Sequence, residues 1–180
     1  MFKSYGYKSY ISKPLRINHP ENIVVGDNVR IGCHTWLAAA CLTGDDNCEL
    51  IFHDGATLGD YNHIYATGRI IIEKNALTAN FVYISDNLHG YEDVNTPIKK
   101  QPIKQLSYVT IGEGCWIGEH VCIIGASVGK HSIIGANSVV THDIPDYCVA
   151  VGSPARIIKR YNPQSEMWEK TDKDGNFITK

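Results

Sequence analysis

One histidine stands apart from the rest of the chain. His89 lies near the start of YISDNLHGYEDVNTPIKKQP, Tyr83 to Pro102, a polar, proline-marked stretch that interrupts a sequence repeating itself on either side. Imidazole takes up and returns a proton near neutral pH. A histidine held on a rigid base therefore suits general-base work, such as removing the proton of a hydroxyl as it attacks a carbonyl. Asp86, three residues earlier, has two readings: it orients the His89 ring, or it is a turn-forming aspartate. His63, in GDYNHIY, is the second candidate, and a plain surface corner fits it equally well. His34, His53, His120 and His131 fall at or beside corners of the repeat, where a polar residue needs no further role. No serine or cysteine nucleophile is expected, since Cys115 and Cys122 sit at repeat positions.

The elements that must hold His89 are read from the repeat. Val25-Gly26-Asp27-Asn28-Val29-Arg30 is followed by Ile31-Gly32-Cys33-His34-Thr35-Trp36, and the period of six returns from Ile72 to Tyr83 and again from Ile111 to Cys122 and Val128 to Val139. A helix would space its apolar residues by three or four and an isolated strand would alternate strictly, so neither accounts for the pattern. A parallel β-helix does: the first residue of each six points inward, the next two turn a corner, and the fifth is a second inward position for a modest side chain. The spacing leaves the hand of the coil open. The interruption, residues 85–106, is long for a connection, which marks it as functional. It leaves the coil directly after the inward-pointing Ile84, so His89 lies close to a fixed base.

Composition sets the bounds. The chain has 180 residues, 43% hydrophobic and 20% charged, with 17 basic against 19 acidic side chains, so a net charge of -2 offers no electrostatic case for nucleic acid or an anionic membrane surface. The N-terminal MFKSYGYKSYISKPLRI lacks the apolar core of a signal peptide, and no run reaches the ~20 apolar residues of a membrane span. A cytoplasmic protein is expected. Cys33, Cys41, Cys48, Cys115, Cys122 and Cys148 show no C-x2-C spacing and are expected to be reduced, buried and structural.

With CWIGEHVCIIGASVGKHSIIGANSVV and the closing VAVGSPARIIK, the sixes resemble the hexapeptide-repeat acyltransferases over residues 20 to 160. The resemblance implies an all-β solenoid, a left-handed parallel β-helix shaped as a triangular prism, assembled as a homotrimer and using acetyl-CoA without a metal. The His-containing loop followed by Pro97-Ile98-Lys99-Lys100-Gln101-Pro102 and the coil of Trp116-Ile117-Gly118 resemble the branch of sugar O-acetyltransferases serving capsule, exopolysaccharide and O-antigen synthesis. The five-residue step from Ile123 to Val128 favours the same branch. In these enzymes the catalytic histidine lies five residues after the last aliphatic of the coil, an offset that Ile84 to His89 reproduces. The resemblance thus implies His89 as general base, Asp86, Asn62, His63 and Trp116 around the acceptor, and Glu119, Ala136, Thr141, Arg156 and Lys159 around coenzyme A. Arg156 and Lys159 would clamp phosphate, while His142 stands where relatives often carry lysine.

The expected organisation is an N-terminal cap over 1–20, the β-helix over 21–160 and a C-terminal extension over 161–180, its hairpin turn at Asp174-Gly175 or Gly175-Asn176 and its anchors Trp168 and Phe177. Three other activities stay open: N-acetyl transfer to an amino-sugar nucleotide or a drug, a metal enzyme on the same prism, and a non-catalytic scaffold. The metal enzyme requires clustered histidines, and no second histidine follows His89 at the short spacing that it uses.

Overall fold

The structure, a computed structural model, describes residues 1–44, 47–172 and 175–178. The chain visits three sheets in turn. Ser4–Tyr5, Ile23–Val25, Glu49–Phe52, Arg69–Ile72 and Val109–Ile111 form the first, and the second begins with Tyr10–Ile11, Arg30–Ile31, Thr57–Leu58, Leu77–Thr78 and Trp116–Ile117. The third holds Arg16–Asn18, Trp36–Ala39, His63–Ala66, Tyr83–Ser85, Cys122–Ile124 and Val139–Val140. Each strand pairs in parallel with its counterpart one turn later, as Ile64 does with Ile84 and Ile84 with Ile123. Among the described residues there is no α-helix, only two short 3-10 turns at Pro20–Asn22 and Ile98–Lys100.

Burial follows the sixfold phase. Val25, Val29, Ile31, Thr35 and Leu37 are inside, and so are Ile111, Cys115, Ile117, Val121 and Ile123. The phase also runs through the segment that looked irregular, where Phe52, Ala56, Leu58, Asn62 and Ile64 take the inward positions. At Gly118 the neighbouring turn lies so close that only a glycine fits: a Cβ there would fall 2.7 Å from the Ala136 nitrogen.

The fourth position of each six turns the corner in the left-handed backbone region. Asn28, Asn75 and Asn137 take it at φ 56°, 55° and 58°, as expected of asparagine. His34, Tyr61, Phe81 and His120 take it too, at φ 54°, 57°, 57° and 55°, where a side chain costs roughly 1–2 kcal/mol. Their rings form a continuous stack up the corner, with centroids 4.9, 4.8 and 4.8 Å apart and planes within 6–9° of parallel. That stacking offsets the backbone cost.

Three expectations change here. Residues 1–20 are not a separate cap: Ser4–Tyr5, Tyr10–Ile11 and Arg16–Asn18 pair with Val24–Val25, Arg30–Ile31 and Trp36–Ala38 as the first turn of the coil. Nor are all cysteines reduced and buried. Cys41 and Cys48 form a disulfide across an excursion between Ala39 and Glu49, and Cys33 and Cys122 are half-buried. Cys115 and Cys148 are buried thiols as expected. The C-terminal segment reverses earlier than expected: Arg156–Asn162 runs antiparallel to Cys148–Val151, and Met167–Lys170 antiparallel to that strand. A bridge from Thr171 to Phe177 and Gly175 at φ 83° give the hairpin, with Asp174 itself outside the described residues. Trp168 packs edge-on against Tyr161 at 6.0 Å.

Candidate active site

The interruption is an ordered arm. Asn87–His89 pairs antiparallel with Ile103–Gln105, setting His89 opposite Ile103, and Gly90 N–H donates to the Pro102 carbonyl at 2.9 Å. Asp86 fixes the foot of this ribbon. Its Oδ1 accepts from Thr67 N–H at 2.8 Å and its Oδ2 from Gly68 N–H at 2.8 Å, while Thr67 Oγ1 and Asn87 Nδ2 each donate to Oδ1 at 3.2 Å. Gln105 closes the other side, its Nε2 donating to the Asp86 carbonyl at 2.8 Å and its Oε1 accepting from Thr43 and Thr67 hydroxyls at 2.9 Å each. His89 is therefore carried on a two-stranded ribbon with an anchored base, and its side chain is exposed.

Beside it, on the outer face of the third sheet, lies a groove of about 520 Å³. Trp36, His63, Tyr65 and Tyr83 form its aromatic side, and Leu88, His89 and Ile103 of the arm face them, with Leu42 from the disulfide-closed excursion at the rim. Parallel register puts Trp36, His63, Tyr83 and Cys122 in one column. The Trp36 and His63 rings are stacked at 4.2 Å with planes 6° apart, and Tyr83 lies 5.2 Å from His63. Packed in this way, His63 loses solvent, and burial lowers its pKa below the ordinary 6.5. Its Nε2 is buried with no hydrogen-bond partner among the described residues. The exposed imidazole of His89, held on the arm beside this groove, can take the proton of a hydroxyl bound there.

The other sites expected around the acceptor are elsewhere. Asn62 is an interior residue, 1% exposed, whose Nδ2 donates to Thr78 Oγ1 at 2.6 Å and Gly59 O at 3.2 Å while its Oδ1 accepts from Val82 N–H at 2.6 Å. That leaves no polar atom to meet a ligand. Asp86 likewise has no solvent exposure and spends its carboxylate on the arm's foot. Trp116 is 51% exposed on the second sheet, next to Leu77, and does not line the groove. Glu119 and Ala136 lie on successive turns of one corner, where Asn137 N–H donates to the Glu119 carbonyl at 2.8 Å. The turn before Arg156 continues that edge: Val139 N–H bonds to Gly152 O at 2.9 Å and Ala155 N–H to Val139 O at 2.8 Å. Arg156 and Lys159 are exposed on the closing strand, and Thr141 Oγ1 lies 3.0 Å from His142 Nδ1.

Trp36, Tyr65 and Tyr83 were not singled out from the sequence. The signal was present: each outward aromatic of the column directly precedes an inward aliphatic, as in Trp36-Leu37, His63-Ile64 and Tyr83-Ile84. One string was passed over. Gly125-Ala126-Ser127-Val128-Gly129 has the G-x-S-x-G spacing of a nucleophile elbow. Ser127 instead turns a corner, its N–H donating to Asp143 Oδ1 at 2.7 Å and its Oγ accepting from Thr110 N–H at 3.0 Å. It lines a different surface cleft from the one beside His89.

Comparison with known proteins bears on this arrangement. Residues 108–142 match the family described as the hexapeptide repeat of succinyl-transferase. The chain is similar to WbbJ of Escherichia coli K12, a protein named for O-acetyl transfer in lipopolysaccharide biosynthesis. The two are 32% identical over 171 residues, covering 91% of this chain and 82% of WbbJ. Galactoside O-acetyltransferase of Escherichia coli K12 is 29% identical over 92% of this chain and 68% of its own length. In fold the chain is similar to the N-acyltransferase AntD of Bacillus cereus, solved as a single-residue variant with dTDP and coenzyme A: TM-score 0.76, 22% identity, covering 91% of this chain and 87% of that one. The sixfold burial, the parallel register and the extended similarity to WbbJ together place the chain in the hexapeptide-repeat acyltransferase family, as an acetyltransferase.

Proposed function

We propose that the protein transfers an acetyl group from acetyl-CoA to a sugar hydroxyl in the synthesis of a cell-surface polysaccharide, with His89 as general base. The observation that carries this reading is the groove itself, in which His89 on its anchored arm stands opposite an aromatic side that includes His63. The acceptor hydroxyl attacks the thioester carbonyl while His89 removes its proton. The tetrahedral intermediate then expels the thiolate, and protonated His89 returns the proton to sulfur, so that no acyl-enzyme forms. In this reading the coil is left-handed and three copies associate in the cytoplasm. The exposed Trp116 of one copy covers the groove of the next, an aromatic with an apolar neighbour in Leu77 being suited to burial between subunits. Coenzyme A lies along the corner of Glu119 and Ala136, with Thr141, Arg156 and Lys159 toward its phosphates.

A second reading is N-acyl transfer to an amino-sugar nucleotide, supported by the likeness in fold to AntD. One assay separates the two: thiol release from acetyl-CoA against hydroxyl and amine acceptors, wild type beside His89→Ala. Turnover with a hydroxyl that drops at least about a hundredfold in the variant supports O-transfer through His89. Turnover with amines only supports the second reading, and turnover indifferent to the variant removes His89 from the reaction.

A further inference from the structure

The Cys41–Cys48 cross-link closes an excursion that touches the site in two places. Leu42, next to the first cysteine, forms part of the groove's rim. Thr43, one residue on, donates its hydroxyl to Gln105 Oε1 at 2.9 Å and lies 3.4 Å from the Thr67 carbonyl. Gln105 is on the returning strand of the arm, opposite Asn87, which opens the strand ending at His89. Its amide also donates to the Asp86 carbonyl at 2.8 Å and the Leu106 carbonyl at 3.2 Å. The excursion is thus joined both to the groove and to the foot of the arm.

The coil on either side does not depend on the cross-link. Trp36–Ala39 pairs with His63–Ala66, and Ala40 N–H donates to the Ala66 carbonyl at 2.9 Å. Glu49–Phe52 pairs with Arg69–Ile72, and Glu49 N–H donates to the Gly68 carbonyl at 2.8 Å. What the bridge fixes is the path between these strands, Leu42 and Thr43 included. The surroundings also suit the reduced pair. Cys48 Sγ lies 3.3 Å from the Ala39 carbonyl, which can accept a thiol hydrogen, and Cys41 Sγ lies 3.4 Å from the Cys48 backbone nitrogen and 3.8 Å from Asn22 Nδ2, both donors. Cys48 is 2% exposed and Cys41 half-buried, so an incoming thiolate reaches Cys41 first.

We propose that Cys41 and Cys48 form a thiol–disulfide switch on acceptor binding. Cross-linked, they hold Leu42 and Thr43 in place and the acceptor binds; reduced, they release the rim and binding weakens. Resting on the acetyl-transfer reading for what it controls, the switch takes a low-molecular-weight thiol as its effector. The effector thiolate attacks Cys41 Sγ, breaking the S–S bond and forming a mixed disulfide, while Cys48 leaves as a thiolate and takes a proton from water. A second effector thiolate attacks the effector sulfur of the mixed disulfide, and Cys41 leaves in the same way. Two effector thiols thereby give two electrons to the pair and become one disulfide, and the oxidised effector reverses both steps. In a reducing compartment a cross-link is characteristically transient and sensing.

The test poises the full chain in glutathione buffers from fully reduced to fully oxidised, with acetyl-CoA and a hydroxyl acceptor. Transfer of labelled acetyl is followed, since thiol release cannot be read beside a thiol. Alkylation and mass analysis of the Cys41 and Cys48 peptides give the reduced fraction at each poise. The acceptor KM is expected to rise at least about threefold on reduction, to track the reduced fraction and to return on reoxidation, with the KM for acetyl-CoA within about twofold. Cys41→Ser with Cys48→Ser should hold the higher KM at every poise. Thr43→Val leaves the pair intact, so its thiols should titrate as in wild type with a smaller KM ratio. A pair that titrates without changing the acceptor KM overturns the switch. So does a pair that stays cross-linked at the reducing end, or a reduction that unfolds the chain by circular dichroism. A KM that still responds in the doubly substituted protein overturns it in favour of another cysteine. Amine-only turnover overturns hydroxyl transfer alone, because the same KM ratio is then read on the amine. The wild-type titration decides even if a variant fails to fold.

Discussion

The carboxylate of Asp86 accepts the N–H groups of Thr67 and Gly68 at 2.8 Å each, inside the protein, one residue before the strand that ends at His89. Four donors converge on it, so an amide would set at least one N–H against another. Asp86→Asn should therefore cost about 2 kcal/mol in denaturant unfolding. It should also lower acetyl transfer at least about tenfold, since a displaced arm misplaces His89, the base proposed above. A variant of wild-type stability and rate would show that this foot does not hold the arm.

His63 makes stability depend on pH with a defined sign. Burial lowers its folded pKa below the ordinary 6.5. Below that value the unfolded chain binds the proton and the folded protein resists it, so stability falls as pH drops through and below 6.5 and is unaffected above it. Glu49 acts with the same sign for the opposite reason. The Lys3 ammonium and the Arg69 guanidinium stabilise its charged form and hold its carboxyl below the ordinary 4.5, so its contribution is lost only at more acid pH. The two windows are separable. Urea midpoints at pH 7.5 and 5.5 should differ less in His63→Gln than in wild type.

The disulfide makes an accounting prediction. Thiol titration of the unfolded chain should find four reactive cysteines without reductant, the total of Cys33, Cys115, Cys122 and Cys148, and six with it. Opening the excursion by Cys41→Ser with Cys48→Ser should cost about 2 kcal/mol. It also frees Leu42 at the groove's rim and Thr43 from Gln105, so the acceptor KM should rise severalfold while the KM for acetyl-CoA stays put. Six thiols before reduction would remove the cross-link.

Phe81 lies mid-stack between Tyr61 and His120 on a left-handed corner. Phe81→Ala keeps the backbone cost and removes both ring contacts, so it should destabilise by about 2 kcal/mol in thermal or urea unfolding. Phe81→Gly relieves the backbone as well and should be the milder of the two substitutions. The reverse order would mean that the stack contributes little.

The coil was legible because its physics is local. The sixfold spacing of inward aliphatic residues is set turn by turn, and the structure buries Ile31, Leu37, Ile117 and Ile123 accordingly. His89 was legible for the same reason, since the phase fixes Ile84 and Ile84 fixes where the arm departs. Asn62 was misread because the irregular spacing from Leu42 to Phe52 hid the phase that puts it inside the coil. Trp36, Tyr65 and Tyr83 become neighbours only through register between turns. The Cys41–Cys48 pair needed coordinates, because a bulge out of the coil brings those two thiols together without any mark in the repeat.

The arm leaves and rejoins the coil at nearly one point, with Leu106 N–H donating to the Asp86 carbonyl at 2.8 Å. Ser85 still pairs with Ile124 one turn on, as if the intervening residues had never been inserted. The pairing of the coil is therefore independent of the arm's length: the ribbon hangs from two fixed ends as a side branch, and the scaffold's register runs past it unbroken.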